Sequence, residues 1–324
     1  MSNVYPGLKY PFPDTISSHA PWLEEQTRSW LNELYPSLPK DIKEKYRHTA
    51  TGYLTARFFP FATAERLVPL AQSSLWGLAF DDFYEYSQPD AYTALSQRLT
   101  SIIRGDSHPL TSENEFFYQM YVMAEDFRKY MPHYWMERFA RSMAIYFEGM
   151  SAEAPYKAAL QVPTLTQYVN IRWRSVDVLQ MIDGLEVATE MPLPDEVRHH
   201  PQMEQIAQLT CRIIAWANDY FSIGKEESRD VMNLILVLQY QYQLSRDEAI
   251  AAAVKFHDED VNTYLDCCKR LPHFGAYHQA VQQFIRYNNY MIAGHWRWYL
   301  TDTKRYQPGG APTDQFKNDP SSSV

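Results

Sequence analysis

Ala217-Asn218-Asp219-Tyr220-Phe221-Ser222-Ile223-Gly224-Lys225-Glu226 closes an apolar segment that runs from Ile206 to Trp216 with helical spacing. If the helix continues through it, Asn218, Ser222 and Glu226 fall at i, i+4 and i+8. That sets an amide oxygen, a hydroxyl and a carboxylate on one face, about a turn apart. Oxygen-only donors suit a hard cation such as Mg2+ and not zinc. Lys225 follows the line and can reach an anion beside such a metal. Taken alone, the same residues also read as polar punctuation at a helix C-terminus, so the rest of the chain has to decide.

A second oxygen-rich stretch, Phe80-Asp81-Asp82-Phe83-Tyr84-Glu85, ends another apolar helical segment. Asp81 and Glu85 share a face at i, i+4, with Asp82 beside them. Three carboxylates within five residues repel one another unless a cation or solvent intervenes. They also sit at a C-terminal end, where negative charge opposes the helix dipole. A solvated acidic helix end is the plain alternative, but the preceding Leu78, Ala79 and Phe80 are apolar. Two such sites facing each other in a bundle could clamp a polyanion through several metals. Their apolar approaches would line a pocket below, which suits a substrate with a diphosphate head and a hydrocarbon body.

The bulk sequence fits this picture. The 324 residues can bury a large core. Aromatics reach 15%, with 24 Tyr, 16 Phe and 8 Trp, enough to line a cavity with π faces as well as fill a core. A net charge of −9 without a long basic run argues against nucleic acid as a partner. Cys211, Cys267 and Cys268 lack metal spacing and read as reduced thiols of a cytoplasmic protein. Residues 1–13 carry no signal pattern, and no apolar run suggests a membrane anchor.

Helical periodicity and proline breakers divide the chain into helices expected near 21–34, 41–59, 64–86, 91–103, 112–130, 134–151, 165–188, 202–224, 229–242, 246–270 and 274–303. No alternating strand or internal repeat interrupts them. The expectation is an all-α, single-domain helical bundle over 1–306 with a central apolar cavity. Residues 1–20 form an extended, Pro-rich segment and a candidate lid, and 307–324 form a disordered tail.

The motifs resemble those of class I terpene synthases of the microbial single-domain kind. DDFYE at 81–85 and NDYFSIGKE at 218–226 are similar to the family's two metal-binding motifs, and Asp230-Val231-Met232-Asn233-Leu234 looks like the segment that follows the second. The family also has an arginine some 46 residues ahead of the motif's Asn, where Arg172 stands, and a C-terminal Arg-Tyr pair, supplied by Arg305-Tyr306. The resemblance implies a helical bundle that ionises a prenyl diphosphate with three Mg2+. Asp81 would hold two ions and Asn218, Ser222 and Glu226 the third. Glu85 keeps a carboxylate at the end of the first motif, although the family commonly has Asp nearby. Asp82 would sooner pair with an arginine on closure than bind metal. Arg172, Lys225, Arg305 and Tyr306 would grip the diphosphate. Ser175 and Val176 occupy the linker and effector positions, with Ser175 standing where Asp is common.

Breaking a carbon–oxygen bond in an apolar pocket requires the leaving diphosphate to be neutralised as its charge develops. The carbocation left behind must be kept from water, and aromatic faces can steady it. Phe58, Phe59, Trp76, Phe80, Trp216 and Trp298 are aromatic candidates; Phe80 and Trp298 adjoin the motifs most closely. Cys211, Ile214 and Ala215 are candidates for the wall below Asn218. No side chain stands out as the general base, a role open to the released diphosphate. Farnesyl diphosphate is the favoured substrate and a sesquiterpene the product, with geranylgeranyl diphosphate and a diterpene as the alternative. A prenyl-chain elongase would want a second aspartate-rich motif, and a non-enzymatic helical scaffold leaves the joint spacing unexplained. Association into a homodimer is left open by the sequence.

Overall fold

The computed structural model describes residues 7–227 and 230–306, apart from the Lys225 side chain. The expected tail over 307–324 and the first six residues of the N-terminal segment lie outside the described residues. Within them the chain forms α1 (Ala20–Glu33), α2 (Lys40–Arg47), α3 (Thr51–Phe58), α4 (Ala64–Tyr84), α5 (Pro89–Arg104), α6 (Glu115–Arg128) and α7 (His133–Ala159). These are followed by α8 (Leu165–Ser175), α9 (Leu179–Thr189), α10 (Asp195–Arg198), α11 (Pro201–Glu226), α12 (Leu234–Tyr242), α13 (Arg246–Lys269) and α14 (His278–Thr301). There is no strand among the described residues. No described helix is long and apolar enough to cross a membrane.

Helix starts follow local chemistry. Asn114, Thr164, Asn233 and Ser245 each accept a hydrogen bond from a backbone N–H of the first turn, and Thr164 and Ser245 complete capping boxes with Gln167 and Glu248. Three expectations need correction. The helix expected over 41–59 is two helices, interrupted at His48–Ala50 with Ala50 left-handed at φ 58°. Carbonyls at this break also accept hydrogen bonds from the far end of the chain. Lys304 N–H donates to His48 O at 2.8 Å and Trp298 Nε1 to Ala50 O at 3.0 Å. The helix expected over 165–188 breaks at Val176–Val178, where Asp177 is left-handed at φ 60°. Conversely α7 continues through Pro155 to Ala159, eight residues past its expected end. A proline inside a helix removes one backbone bond and costs about 3 kcal/mol, offset here by burial of Glu153 and Ala154 on the same turn.

Residues 7–19 pack along the outside of two helices. Tyr10 packs edge-on against His257 and tilted on Trp296, and Phe12 packs edge-on against Tyr264, so the segment lies along α13 and α14. Asp14 pairs with Arg57 and Arg297, and Arg57 also pairs with Asp302, joining this segment to the end of α14.

One close crossing positions the site. A Cβ on Gly149 of α7 would stand 2.5 Å from Ser175 N and 2.8 Å from Arg174 C, both backbone atoms of α8. Only glycine lets the helices approach so closely. Gly149→Ala is therefore expected to destabilise by about 1–3 kcal/mol through overpacking, read as a lower denaturant midpoint at unchanged m-value. An unchanged midpoint would show that the α7–α8 contact is not tight.

Candidate active site

A single continuous hollow of about 1550 Å3 opens at one end of the bundle and extends into a surface groove beside α5. Its wall comes from α3 (Leu54, Phe58), α4 (Ser74, Gly77, Leu78), the α8–α9 break with Met181, α11 (Ile214) and α14 (His295, Trp298, Tyr299). Around the mouth stand Asp81, Asp82, Glu85, Arg172, Asn218, Glu226, Arg305 and Tyr306. Of the sequence candidates, Ser175 and Val176 at the helix break and Phe58, Ile214 and Trp298 in the wall also line it.

Six wall candidates face elsewhere. Trp76 and Phe80 stack on each other at 4.4 Å, Trp76 donates to Phe116 O, and both rings look toward α6. On α4 they occupy one stripe, while Ser74, Gly77, Asp81 and Glu85 occupy the one facing the hollow. Neighbours in a helix point about 100° apart, which is why adjacency to Asp81 misled for Phe80. Phe59 turns to the α4–α9 contact, within 3.2 Å of where a Gly184 Cβ would sit. Ala215 packs with the Tyr168 and Ile235 cluster, as does Trp216. Cys211 is fully buried in the main core, where burial pushes its thiol up and leaves it inert.

The two motifs meet through a lysine that the sequence reading did not single out. Lys157, on the turn of α7 beyond Pro155, stands 3.8 Å from Glu85 of the first motif, 3.8 Å from Asp230 just beyond the second, and 3.2 Å from Glu153. Its ammonium is pushed further up by these carboxylates, which outweigh the opposing effect of burial. Glu85 is lifted to about 7, first by burial and then by Asp81, Asp82 and Asp230, with Lys157 opposing; part of its side chain still meets solvent at the mouth. Asp81 is raised for the same leading reason.

On α11, Arg172 donates to Asn218 Oδ1 at 2.8 Å and to Asp219 Oδ1 at 3.0 Å. Asn218 Nδ2 donates to Tyr299 Oη at 2.7 Å; Trp298 and Tyr299 both reach the hollow, and Tyr299 holds the motif. Asn233 Nδ2 donates to Glu226 Oε2 at 2.9 Å and lies 3.4 Å from Ser222 Oγ, so these two oxygens converge on one point. Ser222 itself is buried below the surface of the hollow. Asp219, between them in sequence, points the other way. It accepts from Tyr168 Oη, Arg172 and Leu234 N–H, and so anchors α8 and α12 to α11.

Arg305 and Tyr306, past the end of α14, stand at the mouth. Asp82 is paired with Lys45 at 2.5 Å and Arg305 at 3.6 Å, and accepts from Tyr46 Oη, so its charge is committed to α2 and the tail. Arg305 lies over the Tyr46 and Tyr306 rings. Its Nε and one Nη are buried with no partner. Unpaired guanidinium N–H groups lining a cavity are costly unless an anion binds there. The Lys225 side chain falls outside the described residues.

Among the described residues no three carboxylates, imidazoles or thiols converge closely enough to hold an ion by themselves. The donors gather instead as two incomplete oxygen sets, Asp81 with Glu85, and Asn218 with Ser222 and Glu226. Half-buried carboxylates of raised pKa on one side, and amide, hydroxyl and carboxylate oxygens on the other, fit hard cations whose remaining positions a bound anion would fill.

The family model for terpene synthase family 2, C-terminal metal binding, matches residues 72–263. The chain is 29% identical over 307 residues to (+)-T-muurolol synthase of Roseiflexus castenholzii, described as cyclising (2E,6E)-farnesyl diphosphate, covering 93% of each. It is 30% identical over 269 residues to germacrene A synthase of Nostoc punctiforme, covering 80% of this chain and 82% of that one. The fold matches that of germacradien-4-ol synthase from Streptomyces citricolor with a TM-score of 0.78 at 21% identity, over 92% of this chain and 99% of that one. The hollow, its two oxygen sets and the matched family model together make this chain a member of terpene synthase family 2, a terpene cyclase of the class I all-α fold.

Proposed function

We propose that this enzyme uses Mg2+, three ions per site, to ionise farnesyl diphosphate and cyclise the cation to a sesquiterpene. The observation that supports the reading is the one hollow lined by Asp81 and Glu85 of the first motif and Asn218 and Glu226 of the second. The substrate choice is supported by relatives whose names specify farnesyl diphosphate or sesquiterpene products. When bound, the ions would lend positive charge to the departing diphosphate. Asp81 and Glu85 would hold them on one side and Asn218, Ser222 and Glu226 on the other. Arg172, Lys225, Arg305 and Tyr306 are assigned the diphosphate, and the unpaired N–H groups of Arg305 give it free donors for that task. Tail residues Arg305 and Tyr306 exclude water, while Phe58, Trp298 and Tyr299 present π faces to the cation. Ser175 and Val176 end α8 at the wall, where last-turn carbonyls lack in-helix donors.

The test is incubation with geranyl, farnesyl and geranylgeranyl diphosphates in turn, with Mg2+, following diphosphate release and volatile products. Farnesyl diphosphate should give the highest kcat/KM. Preference for the twenty-carbon substrate would make the enzyme a diterpene synthase. A longer allylic diphosphate formed only with added isopentenyl diphosphate would make it an elongase.

Metal binding should depend on pH. A proton on Glu85 competes with the cation, and its raised pKa of about 7 places that competition in the neutral range. Below this value the carboxyl is mostly protonated, and above it mostly free. The Mg2+ concentration for half-maximal binding should therefore fall by about tenfold between pH 6 and pH 8. Calorimetric titration with Mg2+ and inorganic diphosphate reads this directly, and Glu85→Gln should flatten the dependence. An identical slope in the variant would remove Glu85 from the metal set.

A further inference from the structure

His295 lies on α14 one turn below Tyr299, the residue that holds Asn218 at the mouth. The rise of an α-helix puts it about 6 Å deeper into the hollow. It lines the cavity, is only 6% exposed, and is surrounded by π systems. The Tyr299 ring is 4.8 Å away edge-on, Phe58 lies at 6.0 Å and Trp298 at 6.1 Å. Among the described residues neither ring nitrogen has a hydrogen-bond partner, and Nδ1 is fully buried. A buried polar group left unsatisfied costs about 1–3 kcal/mol and calls for a reason. Packing does not supply one, because Phe or Leu would fill the site without that cost.

The geometry points to His295 as the base that ends the reaction, taking a proton from the cyclised carbocation. In this step a C–H bond next to the cationic carbon breaks. Its electron pair becomes the new C=C bond, and the proton goes to the lone pair of an imidazole nitrogen. The olefin leaves neutral, and the imidazolium returns its proton to water when the mouth reopens. Burial holds the free imidazole neutral by pushing its pKa down to about 3. Neutrality matters twice: a neutral ring has a lone pair to offer, and it does not repel the cation. So weak a base still suffices, since a carbocation is a far stronger acid than imidazolium.

Two other groups compete for the role. Diphosphate at the mouth would reach carbons near the metals but not those one turn deeper. Asp177 lines the hollow too, but its carboxyl accepts from the Gln180 amide and faces Gly77 of α4. One of its oxygens already has a hydrogen-bond donor, whereas neither His295 nitrogen has a partner among the described residues.

The inference rests on reading the hollow as a carbocation chamber, so the experiment separates the two. With farnesyl diphosphate and Mg2+, diphosphate release reports ionisation, and gas chromatography with mass spectrometry reports which carbon loses the proton. His295→Phe and His295→Gln differ in shape and share only the loss of a basic nitrogen. Both should fold, judged by thermal melting, and release diphosphate within about tenfold of the parent rate. In both, the parent olefin should fall at least tenfold as a share of products, replaced by isomers deprotonated elsewhere or by an alcohol. Either variant alone suffices for this reading if the other fails to melt cooperatively. An unchanged product ratio, a parent product that is solely an alcohol, or the same shift produced by Asp177→Asn in place of His295 would overturn the assignment. No diphosphate release by the parent enzyme from any prenyl diphosphate would instead defeat the cyclase reading itself.

Discussion

Asn218→Leu is expected to lower kcat/KM by at least a thousandfold, about 4 kcal/mol of transition-state stabilisation, while melting within a few degrees of the parent. The size follows from what is lost. The amide oxygen leaves the second donor set, so the charge developing on the departing diphosphate loses a cation worth several kcal/mol. Arg172 also loses one acceptor, at 2.8 Å, though it keeps Asp219. Leucine has similar volume, and Asn218 is only half-buried, so the fold should tolerate it. Glu226→Leu should behave alike, because Glu226 Oε2 converges with Ser222 Oγ on Asn233. Steady-state kinetics across a Mg2+ series gives the readout. Turnover within tenfold of the parent in both variants would remove the metal assignment from α11.

Asp219→Ala should act mainly on stability. Asp219 is 1% exposed and serves three donors: Tyr168 Oη, the Arg172 guanidinium and Leu234 N–H at the start of α12. Removing one partner of a buried ion pair leaves the other charge uncompensated, at a cost of about 3–5 kcal/mol. Two neutral donors are orphaned as well. A fall in melting temperature of roughly 10 °C is expected, with Asp219→Asn falling less because its amide oxygen still accepts. Calorimetry on the two variants checks the order. Melting at the parent temperature in Asp219→Ala would mean that α8 and α12 are held to α11 by apolar packing alone.

The contrast between adjacent Asn218 and Asp219 shows where local sequence stops being informative. Helical spacing assigned Asn218, Ser222 and Glu226 to one face, and spacing is a property of any α-helix. It gave Asp219 no role, because the partners of Asp219 come from α8 and α12, remote in sequence. Lys157 and Glu153 were missed for a different reason. Pro155 reads as a helix end, and α7 runs through it only because tertiary burial outweighs the lost backbone bond. The lysine joining the motifs lies on that hidden turn. Phe80 was misplaced beside Asp81 because α4 is apolar on more than one face, and only its neighbours decide which face meets the hollow.

By itself the sequence determined the helical class and the two oxygen-bearing helix ends, since these depend on period and breakers along the chain; Arg172 and Arg305-Tyr306 were singled out only by the family resemblance. Tertiary structure alone decided where helices break and which faces look inward. The α2–α3 interruption is held by Lys304 and Trp298, more than two hundred residues away. The physical reason is the same in each case: a hydrogen bond or a buried face needs a partner, and the partner's position is fixed only when the whole bundle has packed.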